Sequence, residues 1–137
     1  MLIIESPYDS YSIENIVYTD CLRNQDPPYS LSNCNTATRS AIEQYRSFVI
    51  EALYKLKNNR KDVGVWGPSC AQHGFSCGDA LNDTNYRVPS GTGKLLYEVI
   101  NDFLEDPDNA PWYLDEEQWP ANEGCKGKSS YRFNLNS

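Results

Sequence analysis

The sequence predicts an α/β fold built on a parallel sheet that is incomplete within this chain. Two short apolar runs, Leu2-Ile3-Ile4 and Val63-Gly64-Val65-Trp66, end at Pro7 and at Gly67-Pro68, and read as buried strands. Between them, Ile42, Tyr45, Val49, Leu53 and Leu56 recur every three or four residues and fall on one helical face. Leu95, Leu96, Val99, Ile100, Phe103 and Leu104 mark a second helix, stopped by Pro107 and Pro111. Strands alternating with helices imply parallel neighbours joined by a crossover.

Each element has local support. Ser40 with Glu43 has the form of a capping box for the first helix, with Thr36 and Thr38 as alternative caps. Lys55, Lys57, Arg60 and Lys61 gather at its far end, where the helix dipole favours cations, and Asn58-Asn59 can end it. Ser90 or Thr92 can cap the second helix. Residues 18–36, with Cys21, Pro27, Pro28 and Cys34, read as a loop. Tyr131, Phe133 and Leu135 alternate and read as a short edge strand. No internal repeat or interdomain linker interrupts the 137 residues, which form one domain or a piece of one. Two or three strands are too few for a self-sufficient open sheet, and the first would keep an unpaired edge. An N-terminal part is therefore expected upstream.

Composition narrows the function. The net charge of −7 offers no basic excess for a phosphate backbone, so nucleic acid is not an expected partner. No apolar run approaches the ~20 residues that span a bilayer. Ten Tyr and three Trp argue against a disordered tail. Nine acidic residues and no basic one lie between Glu98 and Glu123, read as a solvated surface. Five cysteines suggest an oxidising compartment, and the odd number leaves at least one free or paired outside the chain. Asn82-Asp83-Thr84 makes Asn82 a glycosylation candidate. Secretion would require a signal peptide, yet Leu2-Ile3-Ile4 is too short to be one, a second pointer to residues upstream.

In open α/β sheets, functional residues gather past the carboxyl ends of the strands. Ser6-Pro7-Tyr8-Asp9 follows the first run, and Gly67-Pro68-Ser69-Cys70-Ala71-Gln72-His73 the second. If the strands are neighbours, Asp9 and His73 meet. An acid followed later by a histidine has the chain order of an α/β-hydrolase triad. The bland alternative is that Asp9 caps a turn and His73 is a loop histidine.

Tyr8-Asp9-Ser10 after an apolar strand, and Ser69-Cys70-Ala71-Gln72-His73 after Val63-Gly64-Val65, resemble the C-terminal part of the pectin acetylesterase/Notum family. Gly91-Thr92-Gly93 and Trp112-Tyr113 resemble its later glycine-rich turn and Trp-Tyr pair, so the resemblance spans nearly all of residues 1–137. The resemblance implies the C-terminal portion of a secreted α/β-hydrolase that cleaves carboxylic esters without a cofactor. It implies Asp9 as triad acid, His73 as triad base, and an O-acylated polysaccharide or an acylated protein as substrate. It also implies a disulfide between Cys21 and Cys34. Cys77 with Cys125 is a further candidate pair, and Cys70 is expected to be buried or to pair upstream.

The family nucleophile, a serine in a Gly-x-Ser-x-Gly-Gly elbow upstream of the acid, has no counterpart here. Gly67-Pro68-Ser69-Cys70-Ala71 mimics an elbow, but it follows the acid, and Ser69 would violate the triad order. This chain alone is thus expected to be inactive, its sheet and site completed by the upstream portion of the same hydrolase or by another subunit. Two rivals come from other classes. Cys70-x-x-His73-x-x-x-Cys77 with Cys125 has zinc-like spacing, but lacks two tight ligand pairs. A truncated segment acting as a non-catalytic structural or binding subunit is the other. Gly91-Thr92-Gly93-Lys94 is a phosphate-loop decoy, with Val88 and Leu95 where that loop needs Gly and Ser or Thr.

Overall fold

The computed structural model describes residues 1–25, 29–75, 81–119 and 121–122. Its elements run β1 (Leu2–Ile4), α1 (Ser10–Asn15), α2 (Thr36–Asn59), β2 (Gly64–Gly67), α3 (Leu96–Glu105) and β3 (Trp112–Leu114). Single 3₁₀ turns at Leu31–Asn33 and Pro107–Asn109 precede α2 and β3. Among the described residues the strands form one parallel sheet in the order β1-β2-β3. Ile3 stands opposite Val65, and Trp66 opposite Tyr113. The small α/β architecture with parallel strands and flanking helices is therefore as expected. The Tyr131–Leu135 strand lies outside the described residues.

Three details differ from the sequence reading. Helix α2 begins earlier than Ser40: Asn35 is its cap, with the Asn35 side chain accepting from Thr38 N–H at 2.9 Å. Helix α3 starts with Leu95 as cap, which has no side-chain acceptor, so the Glu98 carboxylate takes the Leu95 N–H at 2.7 Å. Helix α1 and strand β3 were not anticipated. A six-residue helix carries too few turns to show a period, and Trp112-Tyr113-Leu114 is a three-residue run inside an acidic stretch.

The core has two clusters. Trp66, Phe75, Tyr86, Leu96 and Val99 form one, and Leu2 and Ile4, two apart on the same strand face, pack against it. Phe75 meets both Trp66 and Tyr86 edge-on, with centroids 5.5 and 5.4 Å apart. Tyr8, Ile13, Leu22, Leu31, Ile42 and Ala71 form the other, which joins α1 and α2 to the loops leaving the sheet. Cys21 and Cys34 are disulfide-bonded with α-carbons 5.1 Å apart, closing the loop before α2. A closure of 13 residues is worth about 3 kcal/mol in the chain-entropy model. No helix among the described residues is long and apolar enough to cross a membrane.

Gly67, the last residue of β2, is required by packing. A Cβ there would sit 2.4 Å from the Glu5 carbonyl oxygen and 2.9 Å from Leu114. The clash is with backbone on one side, so no rotamer change relieves it. Gly67→Ala is expected to lower stability by about 1–3 kcal/mol. The midpoint of urea unfolding checks this; an unchanged midpoint would mean that the loops after β1 and β2 are not held this closely.

Candidate active site

The parallel pairing of β1 and β2 sends both chains out of the sheet at the same end. Their exits are then tied together. Glu5 N–H donates to the Trp66 carbonyl at 3.2 Å. The buried Ser6 hydroxyl donates to the Cys70 carbonyl at 2.6 Å and accepts from Tyr8 N–H at 2.9 Å. Tyr8 is fully buried; its hydroxyl donates to Glu43 of α2 at 2.5 Å and accepts from Trp119 N–H at 2.8 Å. Burial, foremost, and the Glu43 carboxylate push the Tyr8 phenol well above its ordinary value, so it stays a neutral donor.

This scaffold brings Asp9 and His73 together. Oδ1 of Asp9 lies 2.6 Å from Nδ1 of His73. Oδ2 of Asp9 accepts from Ser12 N–H at 2.8 Å, so Asp9 is also the cap of α1. The two readings of Asp9, cap or histidine partner, are thus both true, one for each oxygen. The Asp9 side chain is 4% exposed and that of His73 59%, so a buried acid holds an imidazole that remains open to solvent. Tyr11 of α1 lies against the ring, with centroids 5.6 Å apart. With Nδ1 held by Asp9, Nε2 is the ring nitrogen left to exchange a proton.

Glu5 was missed by the sequence reading, although an acid directly after an apolar strand and four residues before Asp9 was a signal. Its Oε1 accepts from Ser6 N–H at 3.1 Å. Burial, then the neighbouring Asp9 charge, pushes the Glu5 carboxyl from 4.5 to about 7. Glu5, Asp9 and His73 are the one group of three potential metal-ligating side chains among the described residues, with reactive atoms within 4.8 Å of one another. Asp9 already spends one oxygen on the imidazole and the other on a helix cap. A cation would compete with these bonds for the Asp9 oxygens, so the donor set suits a proton better than a metal.

The other candidates are placed as follows. Ser69 is buried, and its hydroxyl donates to the Glu117 carbonyl at 3.0 Å, an arrangement unlike a poised nucleophile. Cys70 is buried and disulfide-bonded, so it has no thiolate for the zinc set. Cys77 and Cys125 lie outside the described residues. Asn82 is exposed. Gly91-Thr92-Gly93 forms a turn in which Val88 and Lys94 pair as an antiparallel bridge, not a phosphate loop opening a helix. The acidic stretch is only partly a solvated surface. Asp115 is buried and accepts from Asn122 Nδ2 at 3.0 Å and from Ser69 N–H at 3.3 Å, and burial raises its carboxyl above the ordinary range. Asp102 pairs with Lys94, and Glu116 accepts from the Tyr54 hydroxyl.

The pectinacetylesterase family model matches residues 1–126, and the chain belongs to that family. No curated protein and no solved structure matches it.

The raised Glu5 carboxyl has a consequence for stability. A group that binds its proton more tightly when folded favours folding while protonated. The favourable contribution is full below 4.5, the ordinary value, and is lost as pH rises through about 7. Between those limits the thermal midpoint is expected to fall with rising pH, and Glu5→Gln is expected to flatten that slope. Midpoints measured by circular dichroism from pH 4 to 8 check it; parallel curves for the two proteins would show that Glu5 ionises freely.

Proposed function

We infer that this chain supplies the acid and base of a secreted serine carboxylesterase of the pectin acetylesterase type, which removes acyl groups from an O-acylated polysaccharide. The observation that carries the reading is the Asp9–His73 hydrogen bond at the carboxyl ends of two adjacent parallel strands, in a chain of this family. In this reading His73 Nε2 takes the proton from a serine hydroxyl as its oxygen attacks the ester carbon. The imidazolium then returns that proton to the departing sugar oxygen, and water, activated in the same way, releases the acid. Asp9 holds the tautomer with the proton on Nδ1 and stabilises the imidazolium.

The nucleophile and the oxyanion donors are assigned to residues beyond these 137, most simply the upstream portion of the same α/β-hydrolase. Two features support an unfilled interface. Strand β1 is an edge of the sheet among the described residues. Ile16, Tyr45, Phe48, Val49, Leu53 and Leu56 line an apolar groove of about 450 Å³ between the end of α1 and α2. Phe48, 68% exposed, stands in it at a position where a free surface would carry a polar residue. The Cys21–Cys34 disulfide suits the oxidising compartment that secretion provides.

The test compares the 137-residue chain with the gene product extended upstream, on an acetyl nitrophenyl ester and on acetylated pectin. The chain alone should match buffer. The extended product should turn over and lose about 10⁴-fold or more in kcat with His73→Ala. Asp9→Asn should cost about 10⁴-fold as well; asparagine is an equally good helix cap, so the loss isolates the carboxylate charge. An extended product that carries an intact elbow yet is inactive would instead favour a non-catalytic structural or binding subunit. Turnover by the short chain that Ser69→Ala abolishes would make Ser69 the nucleophile.

A further inference from the structure

Glu5 has no part in the chemistry just described, yet its carboxyl lies within 4.8 Å of both members of the Asp9–His73 pair. Its place is built. The Glu5 amide is bonded to the Trp66 carbonyl, its carbonyl sits over Gly67, and its Oε1 takes the Ser6 amide proton. The residue is thus placed by its backbone at two points of the junction between the two loops and by its side chain at a third.

Asp9 and Glu5 are two carboxyl groups within 4.8 Å of each other in a partly dehydrated site. Two ionised carboxylates in contact repel, and the arrangement persists only if one holds a proton. Asp9 is the poorer candidate, because both its oxygens already accept N–H bonds, from His73 and from Ser12, and such bonds favour the ionised form. Glu5 accepts a single backbone bond through Oε1 and keeps Oε2 for a proton. The titratable groups around Glu5 are Asp9 from the same loop, His73 from the β2 loop and Tyr45 from α2. Burial, first of all, keeps Tyr45 in its neutral phenol form, so it brings no charge.

We propose that Glu5 is a positioning residue for the Asp9–His73 pair: it holds a proton while Asp9 is ionised, donates it as a hydrogen bond to the Asp9 carboxylate, and so fixes the carboxylate that orients the imidazole. This rests on the reading of Asp9 and His73 as a working pair. It goes beyond that reading in making the site a three-membered one, Glu5–Asp9–His73, with one proton more than a plain acid–base pair. Loss of the Glu5 proton would remove that hydrogen bond and place a second negative charge beside the Asp9 carboxylate.

His73 is the one histidine of the 137 residues, so its ring signal is unambiguous in this chain. In the extended product it is assigned by its loss in His73→Gln. The experiment is a pH titration by nuclear magnetic resonance of the His73 ring and the Glu5 side-chain carboxyl carbon, in the wild type, Glu5→Gln and Glu5→Ala. The Glu5 carbon should titrate well above the ordinary glutamate value. The low-field Nδ1 proton signal of His73 should persist in Glu5→Gln, whose amide can still donate to Asp9, and should weaken or vanish in Glu5→Ala. Should Glu5→Ala fail to fold, the wild type and Glu5→Gln decide the matter alone. A Glu5 carbon titrating at its ordinary value, a low-field Nδ1 signal unchanged in Glu5→Ala, or one lost in Glu5→Gln, would overturn the proposal. These signals do not depend on ester turnover. An inactive extended product that shows both the raised Glu5 titration and the Glu5-dependent Nδ1 signal would sink the esterase reading only, and an active one that shows neither would sink the role of Glu5 only.

Discussion

The Ser6 hydroxyl is the point on which the site depends. It is buried between the loops that leave β1 and β2, donating to Cys70 of one and accepting from Tyr8 of the other. Residues 64 apart in sequence are held there by one side chain. Without it, the buried Tyr8 N–H would lose its partner at a cost of about 1–3 kcal/mol, while the Cys70 carbonyl would keep only the Gln72 N–H. More important is geometry. Asp9 is three residues beyond Ser6 and His73 three beyond Cys70, so the distance between them is set by this bridge and by the strand register beneath it. Gly67 completes the junction by leaving room for the Glu5 carbonyl.

Much of this arrangement was legible in the sequence, for reasons that can be located. Strands β1 and β2 are apolar runs with sharp stops, and α2 and α3 are long enough to show a period. The order of strands and helices then dictated parallel pairing and so the shared carboxyl edge. What escaped was local or tertiary. Helix α1 is short, and its cap, Asp9, was read for its chemistry although one oxygen serves the backbone. Strand β3 is made by pairing with β2, which no period within three residues could reveal. Composition alone made Asp115 a surface acid. Its burial beside Asn122 and Ser69 comes from the chain folding back over the β2 loop. Glu5 escaped because its significance is a proximity between groups, created only when the two loops meet.

The division of labour at Asp9 bears on how rigid the pair is. A carboxylate rotates easily about its last bond unless both oxygens are held. Here Oδ2 is clamped by the first turn of α1, and Oδ1 is left for the imidazole. The helix is fixed in turn by Ile13, which packs with Tyr8, Leu22 and Ile42 in the second core cluster. The Cys21–Cys34 disulfide closes the loop whose Leu22 and Leu31 complete that cluster. The disulfide therefore supports the orientation of Asp9 through packing, at a distance from the site itself.

Burial differs sharply across the pair, and that asymmetry suits proton transfer. The Asp9 charge sits where water screens it weakly, so its attraction for an imidazolium is stronger than between surface groups. His73 presents most of its side chain to solvent, so Nε2 can meet an incoming group without first opening the core. A buried pair would hold its proton too firmly, and an exposed pair would orient nothing. With the acid anchored on a helix cap inside the protein and the base standing at its rim, the site keeps orientation on one side and access on the other. On the proposed esterase reading that access is what the site needs, because the hydroxyl to be activated would come from outside the two loops: Ser69, placed to mimic a nucleophile, is turned inward to the Glu117 carbonyl.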